Sequence, residues 1–402
     1  MSRVLGDSRV SWLGKIPDSW STCRVKNKFL FHKIIAKEKS VNYDRIALTL
    51  NGVIKRDKDD SNGLQPDNYN GYQVVYKDDL IFKLIDLENV NTSRIGKSEY
   101  EGITSPAYLV LTDKCNTRYS LYYFLNMWYQ EIFNNIGGDG VRSAINKDDL
   151  LRVPFIDISI GEQNKIAKYL DNQCVKIDEI ISDNNREIEL LDEYKDKIIY
   201  DYFKEIKEEI KLKYIISSNT RTLSEKGNEE KEIMYIDIGS VNSDGEITNT
   251  EKYMFKNAPS RARRIVKTND VIISTVRTYL KAIALINSVY DDYICSTGFS
   301  VLKPSNMIDS KYLFYALKNI CFTDKVSANS TGISYPAITD SKLINLKIKI
   351  TDFNNQKLIA NKIDKKINKI NEIVEYRKQI IEKLEEYKRS LIYEYVTGKR
   401  EV

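Results

Sequence analysis

The sequence predicts a mixed α/β chain of the α+β type, in which two similar globular domains are joined by two long helices that form an antiparallel coiled coil. Three observations predict it. A segment near the middle of the chain recurs at its end, both copies have the apolar period of a helix, and the regions before them carry strand and helix patterns. We expect globular domains at residues 1–160 and 208–352, and helices at 161–207 and 353–402.

The repeat is clearest when the segment from Glu162 is compared with the segment from Asn355. The two align without a gap over about forty residues, at a constant offset of 193. The matching residues include Gln163 with Gln356, Ile166 with Ile359, Ala167 with Ala360, Asp171 with Asp364, and Glu193-Tyr194-Lys195 with Glu386-Tyr387-Lys388. Outside a few such anchor points the halves diverge. Two domains that bind different targets would look like this, and so would neutral drift after a duplication.

Both copies read as long helices. Apolar residues recur at three- and four-residue steps, and neither Pro nor Gly occurs between Glu162 and Phe203. Each helix has a narrow apolar stripe and is the obvious partner of the other. Asn184 and its repeat equivalent Arg377 interrupt the stripes. Antiparallel pairing would bring these two residues together, where they could set the register; alternatively, the seam rotates there and both side chains are solvated.

The regions before the helices carry strand-like runs of β-branched and aromatic residues. The predicted strands are Tyr43–Leu50, Tyr72–Phe82, Tyr108–Leu111, Ile233–Ile238, Asp270–Val276, Ala282–Ile286 and Phe299–Leu302. Short helices are expected near Ser120–Ile132 and Ser310–Ile320, at matching places in the two halves.

The composition indicates a soluble protein without familiar catalytic motifs. No apolar run reaches the length of about 20 residues that a membrane span needs, and the N-terminus lacks the apolar core of a secretory signal, so we expect a cytoplasmic protein. A single histidine and five scattered cysteines argue against a metal site or a His-dependent triad. Phosphate-binding, dinucleotide and zinc-protease motifs are also missing, which favours a binding protein over an enzyme.

Basic residues flanked by Ser, Thr, Asn or Gly form the candidate binding sites. Such segments suit DNA, because phosphates accept ionic contacts and arginine can grip a guanine edge. The candidates are Lys83, Arg94, Lys97 and Arg142 in the first half, and Arg261, Arg263, Arg264, Arg277, Lys281 and Tyr335 in the second. For any one of them, solvated surface charge is the competing interpretation.

Over essentially its full length, the chain resembles the specificity subunits of type I restriction-modification systems. The residues that carry the resemblance are Trp12-Leu-Gly-Lys-Ile-Pro-Asp-Ser-Trp20 with Arg24-Val-Lys26, Asp79-Leu-Ile-Phe-Lys-Leu-Ile-Asp-Leu-Glu-Asn89, Ile103-Thr-Ser-Pro-Ala-Tyr108, Gly140-Val-Arg142, Glu162-Gln163 and Leu170-Asp171. One departure is the approach to Glu162-Gln163, which reads Ile158-Ser-Ile-Gly where the family often has prolines.

The resemblance implies a non-catalytic reader of double-stranded DNA. Each globular target-recognition domain would bind one half of a bipartite sequence, and the paired helices would set the unread spacer. Two modification subunits, which methylate adenine with S-adenosylmethionine, would dock on the chain, and ATP-dependent restriction subunits would cleave. The chain itself should hold no cofactor. The alternatives are a stand-alone nuclease-like enzyme and a coiled-coil adaptor that does not bind DNA.

Overall fold

A computed structural model describes residues 4–50, 52–60, 66–85, 87, 93–136, 144–224 and 230–402 of the chain. The chain divides into two compact units. Unit 1 consists of Met1–Asp183 and Gln379–Val402, and unit 2 of Asn184–Lys378. Among the described residues, no helix is long and apolar enough to cross a membrane.

Unit 1 begins with a series of short strands and ends in a long helix. Its strands are β1 (Leu5–Asp7), β2 (Lys15–Pro17), β3 (Ser21–Arg24), β4 (Phe29–His32), β5 (Ile34–Ile35), β6 (Arg45–Thr49), β7 (Gly52–Arg56), β8 (Gln73–Val75), β9 (Leu80–Phe82), β10 (Ile95–Lys97), β11 (Gly102–Thr104), β12 (Leu109–Asp113) and β13 (Pro154–Asp157). Its helices are α1 (Val25–Lys28), α2 (Thr117–Tyr129), α3 (Lys147–Arg152), the first half of α4 (Ile160–Lys204) and, from the end of the chain, the second half of α8 (Phe353–Val396).

Unit 2 repeats this plan. Its strands are β14 (Glu209–Lys211), β15 (Ile216–Ser218), β16 (Glu232–Ile236), β17 (Glu251–Met254), β18 (Ala262–Ile265), β19 (Val271–Ser274), β20 (Ile283–Leu285), β21 (Ile294–Ser296), β22 (Phe299–Pro304) and β23 (Lys347–Lys349). Its helices are the second half of α4, then α5 (Ser310–Lys318), α6 (Ile320–Ala328), α7 (Asp340–Leu343) and the first half of α8 (Phe353–Val396).

The same two sheets occur in both units. An antiparallel sheet has the order β10-β9-β12-β4 in unit 1 and β20-β19-β22-β15 in unit 2. A mixed sheet has the order β8-β11-β6-β7 in unit 1, with β5 added at its edge, and β18-β21-β16-β17 in unit 2. In each mixed sheet the central pair, β11 with β6 or β21 with β16, is parallel. The repeat in the sequence is therefore a repeat of topology.

Each unit builds its core from a globular part and from two helix halves. In unit 1 the aromatic side chains Phe82, Phe124 and Phe155 pack with Leu170 of α4 and Ile392 of α8. The helix halves are antiparallel, since the rings of Tyr169 and Tyr395 lie 4.4 Å apart and Lys388 Nζ lies 2.6 Å from Asp178 Oδ1. Burying the apolar stripes within these cores is what stabilises such long helices.

In unit 2 the core is built from the same kinds of structural element. Phe203 of α4 and Ile363 of α8 pack with Val271 of β19 and Leu313 of α5. Lys366 Nζ lies 5.0 Å from the centre of the Tyr202 ring, so the end of α4 runs beside the beginning of α8. These helix halves are antiparallel too.

One predicted strand is divided in the structure. The run Tyr72–Phe82 was expected to be continuous, but it forms β8 and β9, separated by a turn at residues 76–79. Asp78 in that turn has a φ of 71°, in the left-handed region that a strand cannot contain. The polar pair Lys77-Asp78 is the sequence signal for this turn.

Candidate nucleic-acid interface

Two neighbouring loops of unit 2, residues 275–281 and 329–337, form a continuous surface, which we call the loop pair. The first follows β19 and the second follows α6. Thr275 O accepts a 2.8 Å hydrogen bond from Ile338 N, and the hydroxyl oxygens of Thr278 and Ser330 lie 3.0 Å apart. A bridge also joins Val276 to Ala337. The two loops are therefore held in one arrangement by backbone and side-chain hydrogen bonds.

The second loop has a sharply turned tip that points apolar groups at solvent. Thr331 and Ala337 exchange two 2.9 Å backbone hydrogen bonds across it. Gly332 has a φ of 108°, and a Cβ there would lie 3.0 Å from Tyr335 O, so the turn requires glycine. Ile333 is fully exposed at the tip. Together with Tyr335, it gives the turn two large exposed side chains.

Arg277 and Tyr335 connect the two loops through their side chains. The Arg277 Cζ atom lies 4.8 Å from the centre of the Tyr335 ring, within the range of a cation–π interaction. Both side chains are exposed, Tyr335 by 64%. Arg277 also has a φ of 50°, an uncommon conformation for a residue other than glycine. This backbone conformation costs free energy, so contacts elsewhere in the loop must stabilise it.

The other basic candidates of unit 2 have different environments. Arg261 is exposed, and its carbonyl accepts a 2.8 Å hydrogen bond from Thr297 N. Arg263 is partly buried over the Phe255 ring, at 5.1 Å. Lys281 is partly exposed and has a left-handed backbone, with a φ of 50°. Arg261 and Lys281 are therefore accessible to a ligand, whereas Arg263 is partly occupied by an internal contact.

Arg264 differs from the expectation of a free DNA-binding side chain. Its guanidinium donates to Phe299 O and pairs with Asp340 at 3.1 Å, and its side chain is 15% exposed. Arginine suits such internal sites because its planar fork satisfies several acceptors at once. The geometry supports a structural role for Arg264.

In unit 1, two of the four candidates, Arg94 and Lys97, have buried side chains. Arg94 is 2% exposed and its Nη1 donates to Ile85 O at 3.0 Å. The Lys97 side chain is 7% exposed and pairs with Asp78 at 2.6 Å and Glu99 at 2.8 Å. These two positions do not fit the expectation of exposed DNA contacts, because the buried groups already have partners.

The remaining candidates of unit 1 are Lys83 and Arg142. Lys83 is partly exposed beside β9, and its backbone N–H donates to Arg94 O at 2.8 Å. Arg142 lies outside the described residues. Next to Lys83, Ile145 N donates to Leu84 O at 2.9 Å, which is the counterpart of the bond between Ile338 and Thr275 in unit 2. The two units therefore attach corresponding loops in the same way.

In each unit, one buried glutamine attaches the globular part to its long helix. The sequence alone did not predict this role. Gln163 Oε1 accepts from the backbone N–H of Asn116 at 3.0 Å, and Asn116 caps α2. Gln356 Oε1 accepts from Asp309 N at 2.9 Å, and Asp309 caps α5. Each glutamine amide also donates to a carbonyl of the segment before its helix. Both pairs of residues are related by the offset of 193.

In each unit, an aspartate eight residues after the glutamine completes the attachment. Asp171 accepts from Tyr122 Oη at 2.8 Å and pairs with Arg118 at 2.9 Å. Asp364 accepts from Tyr315 Oη at 2.9 Å and pairs with Lys311 at 2.9 Å. We call the glutamine and aspartate contacts of each unit its clamp: Gln163 and Asp171 in unit 1, Gln356 and Asp364 in unit 2.

The tyrosines of the clamps remain protonated donors. Burial raises the pKa of the Tyr122 hydroxyl far above its ordinary value, and Cys174 and Asp171 raise it further. Burial also raises the pKa of Tyr315, and Asp364 adds to the effect. The matching residues Gln163 with Gln356 and Asp171 with Asp364 belong to the sequence repeat, so their recurrence was the signal that could have identified the clamps.

In each unit, a buried aspartate just before a strand of the antiparallel sheet has a His or Arg side chain as its neighbour. Asp79, 1% exposed, lies 3.0 Å from His32 Nε2 and accepts a hydrogen bond from Thr112. In unit 2, Asp270 is 2% exposed and pairs with Arg221. A histidine in one unit thus takes the place of an arginine in the other.

The polar pair in the helix seam lies within unit 2. Arg377 Nη1 donates to Asn184 Oδ1 at 2.9 Å, and the guanidinium also pairs with Glu187. Asn184 is 8% exposed. The two residues that interrupt the apolar stripes are therefore in direct contact, as antiparallel pairing requires.

Comparisons with known proteins agree on one family. Residues 204–386 match the model of the type I restriction modification DNA specificity domain. The type I restriction enzyme MjaVIII specificity subunit of Methanocaldococcus jannaschii is 23% identical over 359 residues, which are 81% of this chain and 80% of that protein. The type I restriction enzyme HindI specificity subunit of Haemophilus influenzae is 25% identical over 183 residues, 44% of this chain and 39% of that protein.

The fold is also similar to a solved structure. A chain from a structure described as the structural basis underlying complex assembly and conformational transition of the type I R-M system superimposes with a TM-score of 0.70. The match covers 96% of this chain and 100% of that chain, at 13% identity. Residues 204–386 are thus similar to the DNA specificity domain of type I restriction-modification systems, and most of the chain is similar to specificity subunits of such systems.

Proposed function

We propose that this chain supplies the DNA sequence specificity of a type I restriction-modification complex, with each globular part reading one half of a bipartite target. The observation that carries the proposal is the contrast within the repeat. Sheets and clamps recur, while the surface loops differ between the units. We assign the reading to residues 1–160 and 208–352, and the spacing to the helices at 161–207 and 353–402.

The loop pair of unit 2 is the best-described part of the proposed DNA surface. Its sequence contains Arg277 and Lys281 and has neither Asp nor Glu. Arg261 lies on an adjoining segment, since its carbonyl accepts from Thr297 N and the carbonyl of the next residue, Gly298, accepts from Thr275 N of the loop pair. Positive charge without neighbouring acids favours phosphate binding, and the exposed side chains of the tip can reach base edges.

A binding assay on the assembled complex tests the proposal. The full chain and the modification subunits would be titrated onto labelled target DNA and onto a scrambled duplex, at several salt concentrations. We expect tight binding of the target and weaker, strongly salt-dependent binding of the scrambled duplex. Equal binding of both duplexes would contradict the proposal. Loss of all salt-sensitive binding would instead support the coiled-coil adaptor.

We further propose that the chain has no catalytic site of its own. Among the described residues, no group of three or more His, Cys, Asp and Glu is arranged to hold a metal ion. Incubating the isolated chain with labelled DNA and a divalent cation should give no cleavage. Cleavage that persists through purification would favour the nuclease-like alternative.

Exposed residues on the helices suggest where the two modification subunits dock. Unit 1 carries Ile180, 46% exposed, and Tyr387, 51% exposed. Unit 2 carries their repeat equivalents, Ile373 at 45% and Tyr194 at 51%. Each unit therefore shows an isoleucine from one helix and a tyrosine from the other. Two identical subunits need two such equivalent surfaces.

Native mass spectrometry can test these docking surfaces separately. We expect Tyr387→Ala or Tyr194→Ala each to reduce the complex from two modification subunits to one, and the double variant to abolish docking. The control is Lys362→Ala, which alters an exposed residue of α8 elsewhere on its surface. Two bound subunits in both single variants would remove these tyrosines from the interface.

A further inference from the structure

The most constrained exposed group in the loop pair is the Arg277 side chain. Its backbone is left-handed, and its guanidinium lies over the Tyr335 ring. Within the part of the chain that the structure describes, no carboxylate forms an ion pair with it. By contrast, Arg264 and Lys97 are occupied by acids. Arg277 is thus a positioned cation whose N–H donors have no internal acceptor among the described residues.

A stacked arginine is prepared for recognition of a planar acceptor pair. The aromatic ring engages the face of the guanidinium, while its N–H donors lie in the guanidinium plane and stay free at its edge. Holding the fork in place before binding reduces the conformational entropy lost on contact. Of the base edges, guanine offers two acceptors, N7 and O6, that match this fork in the major groove.

Phosphate contacts in the same region can be made by other side chains. Arg261 and Lys281 are accessible, and among the described residues no aromatic ring lies under either cation. A flexible cation suffices for a phosphate, which carries no sequence information. Arg277 differs from these two residues in lying over an aromatic ring, and this difference would separate positioning on the DNA backbone from reading of a base.

The apolar tip next to this stack indicates which groove is entered. Ile333 is two residues from Tyr335 and fully exposed. At a base edge, the apolar partner for such a side chain is the thymine C5-methyl, which lies in the major groove. The tip therefore suits the major groove, where guanine N7 also lies.

Resting on the proposed function, we propose that Arg277 reads a guanine from the major groove in the half-site bound by unit 2. Tyr335 is the positioning residue that holds the guanidinium in reading geometry. Two consequences distinguish this from a general electrostatic contact. Arg277 should matter at one base pair only, and its effect should depend on the Tyr335 ring.

The experiment uses the complex of full chain and modification subunits with its mapped target duplex. Each guanine of the target is replaced in turn by 7-deazaguanine, which lacks the N7 acceptor. We expect one guanine in one half-site at which this replacement weakens wild-type binding by about tenfold. In Arg277→Ala the same replacement should have no further effect.

Variants at Tyr335 test the positioning role. Tyr335→Phe keeps the ring and should retain the sensitivity at that guanine, whereas Tyr335→Ala should lose most of it. Arg186→Ala, an exposed arginine of α4, is the matched control and should behave as the wild type. Unchanged sensitivity in Tyr335→Ala would overturn the positioning role.

The outcomes separate this inference from the proposed function. If wild-type complex does not distinguish target from scrambled DNA, the proposed function fails. If it does distinguish them, but no guanine replacement differs between wild type and Arg277→Ala, only the reading role is overturned. A uniform loss of affinity in Arg277→Ala on both duplexes, with a shallower salt dependence, would also overturn it, since that is a phosphate contact.

Discussion

Units 1 and 2 share their strand order and their clamps, and they differ in their surface loops. Their sheets have the same strand order, and both clamps join the same structural positions. The loop pair of unit 2 contains no acidic residue, whereas the corresponding stretches of unit 1, residues 84–90 and 137–144, contain three. The two units have therefore kept the sheets and the clamps that hold each domain on its helix, while the loops proposed to contact the target have diverged.

The buried aspartates give the largest expected effect on stability. Asp270→Ala would leave the Arg221 guanidinium without its carboxylate, at a cost of about 3 kcal/mol in the free energy of unfolding of unit 2. Asp79→Ala in unit 1 should cost less, about 2 kcal/mol, because the neighbour there is a histidine. Hydrogen exchange of each unit would measure both. Equal losses would mean that the two partners are interchangeable.

The clamps provide a matched pair of substitutions. Gln163→Leu and Gln356→Leu each leave a partly buried backbone N–H of a helix cap without its acceptor, which should cost about 2 kcal/mol. The tryptophans of the chain, at positions 12, 20 and 128, all belong to unit 1, so their fluorescence should report the Gln163 variant. Hydrogen exchange in α5 should report the other.

Lys362→Ala serves as the control for the clamp variants, since its side chain is exposed on α8. A loss confined to the unit that carries each substitution would agree with two equivalent clamps. If one glutamine can be replaced without loss, the clamps are not equivalent despite their geometry.

Arg94 and Arg277 sharpen the difference between interior and surface. Arg94→Ala should destabilise unit 1 by about 2 kcal/mol, because a buried guanidinium with backbone contacts is removed. Arg277→Ala should leave stability within about 0.5 kcal/mol and weaken specific binding by about 1–3 kcal/mol. Thermal unfolding and DNA titration of both variants measure the contrast. A stable Arg94→Ala protein with altered specificity would reverse the assignment of that residue.

The helix seam gives the smallest expected effect. Replacing Asn184 and Arg377 together by leucine removes a hydrogen bond and fills the seam with apolar groups, so stability should change by less than about 1 kcal/mol. If the pair sets the register, the double variant should show mixed cross-linking between cysteines placed along the two helices. A single cross-linking pattern, as in the wild type, would mean that the register is set elsewhere.

Much of the scaffold was predictable because its signals are periodic or repeated. The helices α4 and α8 follow from apolar spacing over forty residues, and the clamp residues coincide with matches in the repeat. The burial of Arg94 was not predictable, because a Ser-Arg-Ile segment has the same local chemistry in a loop and in a packed turn. Which acceptor satisfies the arginine depends on tertiary contacts with Ile85.

In unit 2, too, the sequence identifies candidate residues but does not predict their contacts. The sequence identifies Arg277 and Tyr335 as candidates, but they are 58 positions apart in the numbering, and nothing local indicates that they stack. Arg264 belongs to an equally basic segment and pairs with Asp340 instead. Charge in a sequence predicts a type of partner, whereas its accessibility is decided by folding.

The most direct test of the central claim is a map of methylated adenines in cells that carry the complex. The wild-type chain would be compared with a variant that combines Arg277→Ala, Ile333→Ala and Tyr335→Ala. We predict that one half of the bipartite target becomes degenerate, while the other half and the spacer length stay unchanged. Degeneracy in both halves, or a changed spacer, would contradict the separation of reading loops from the repeated scaffold.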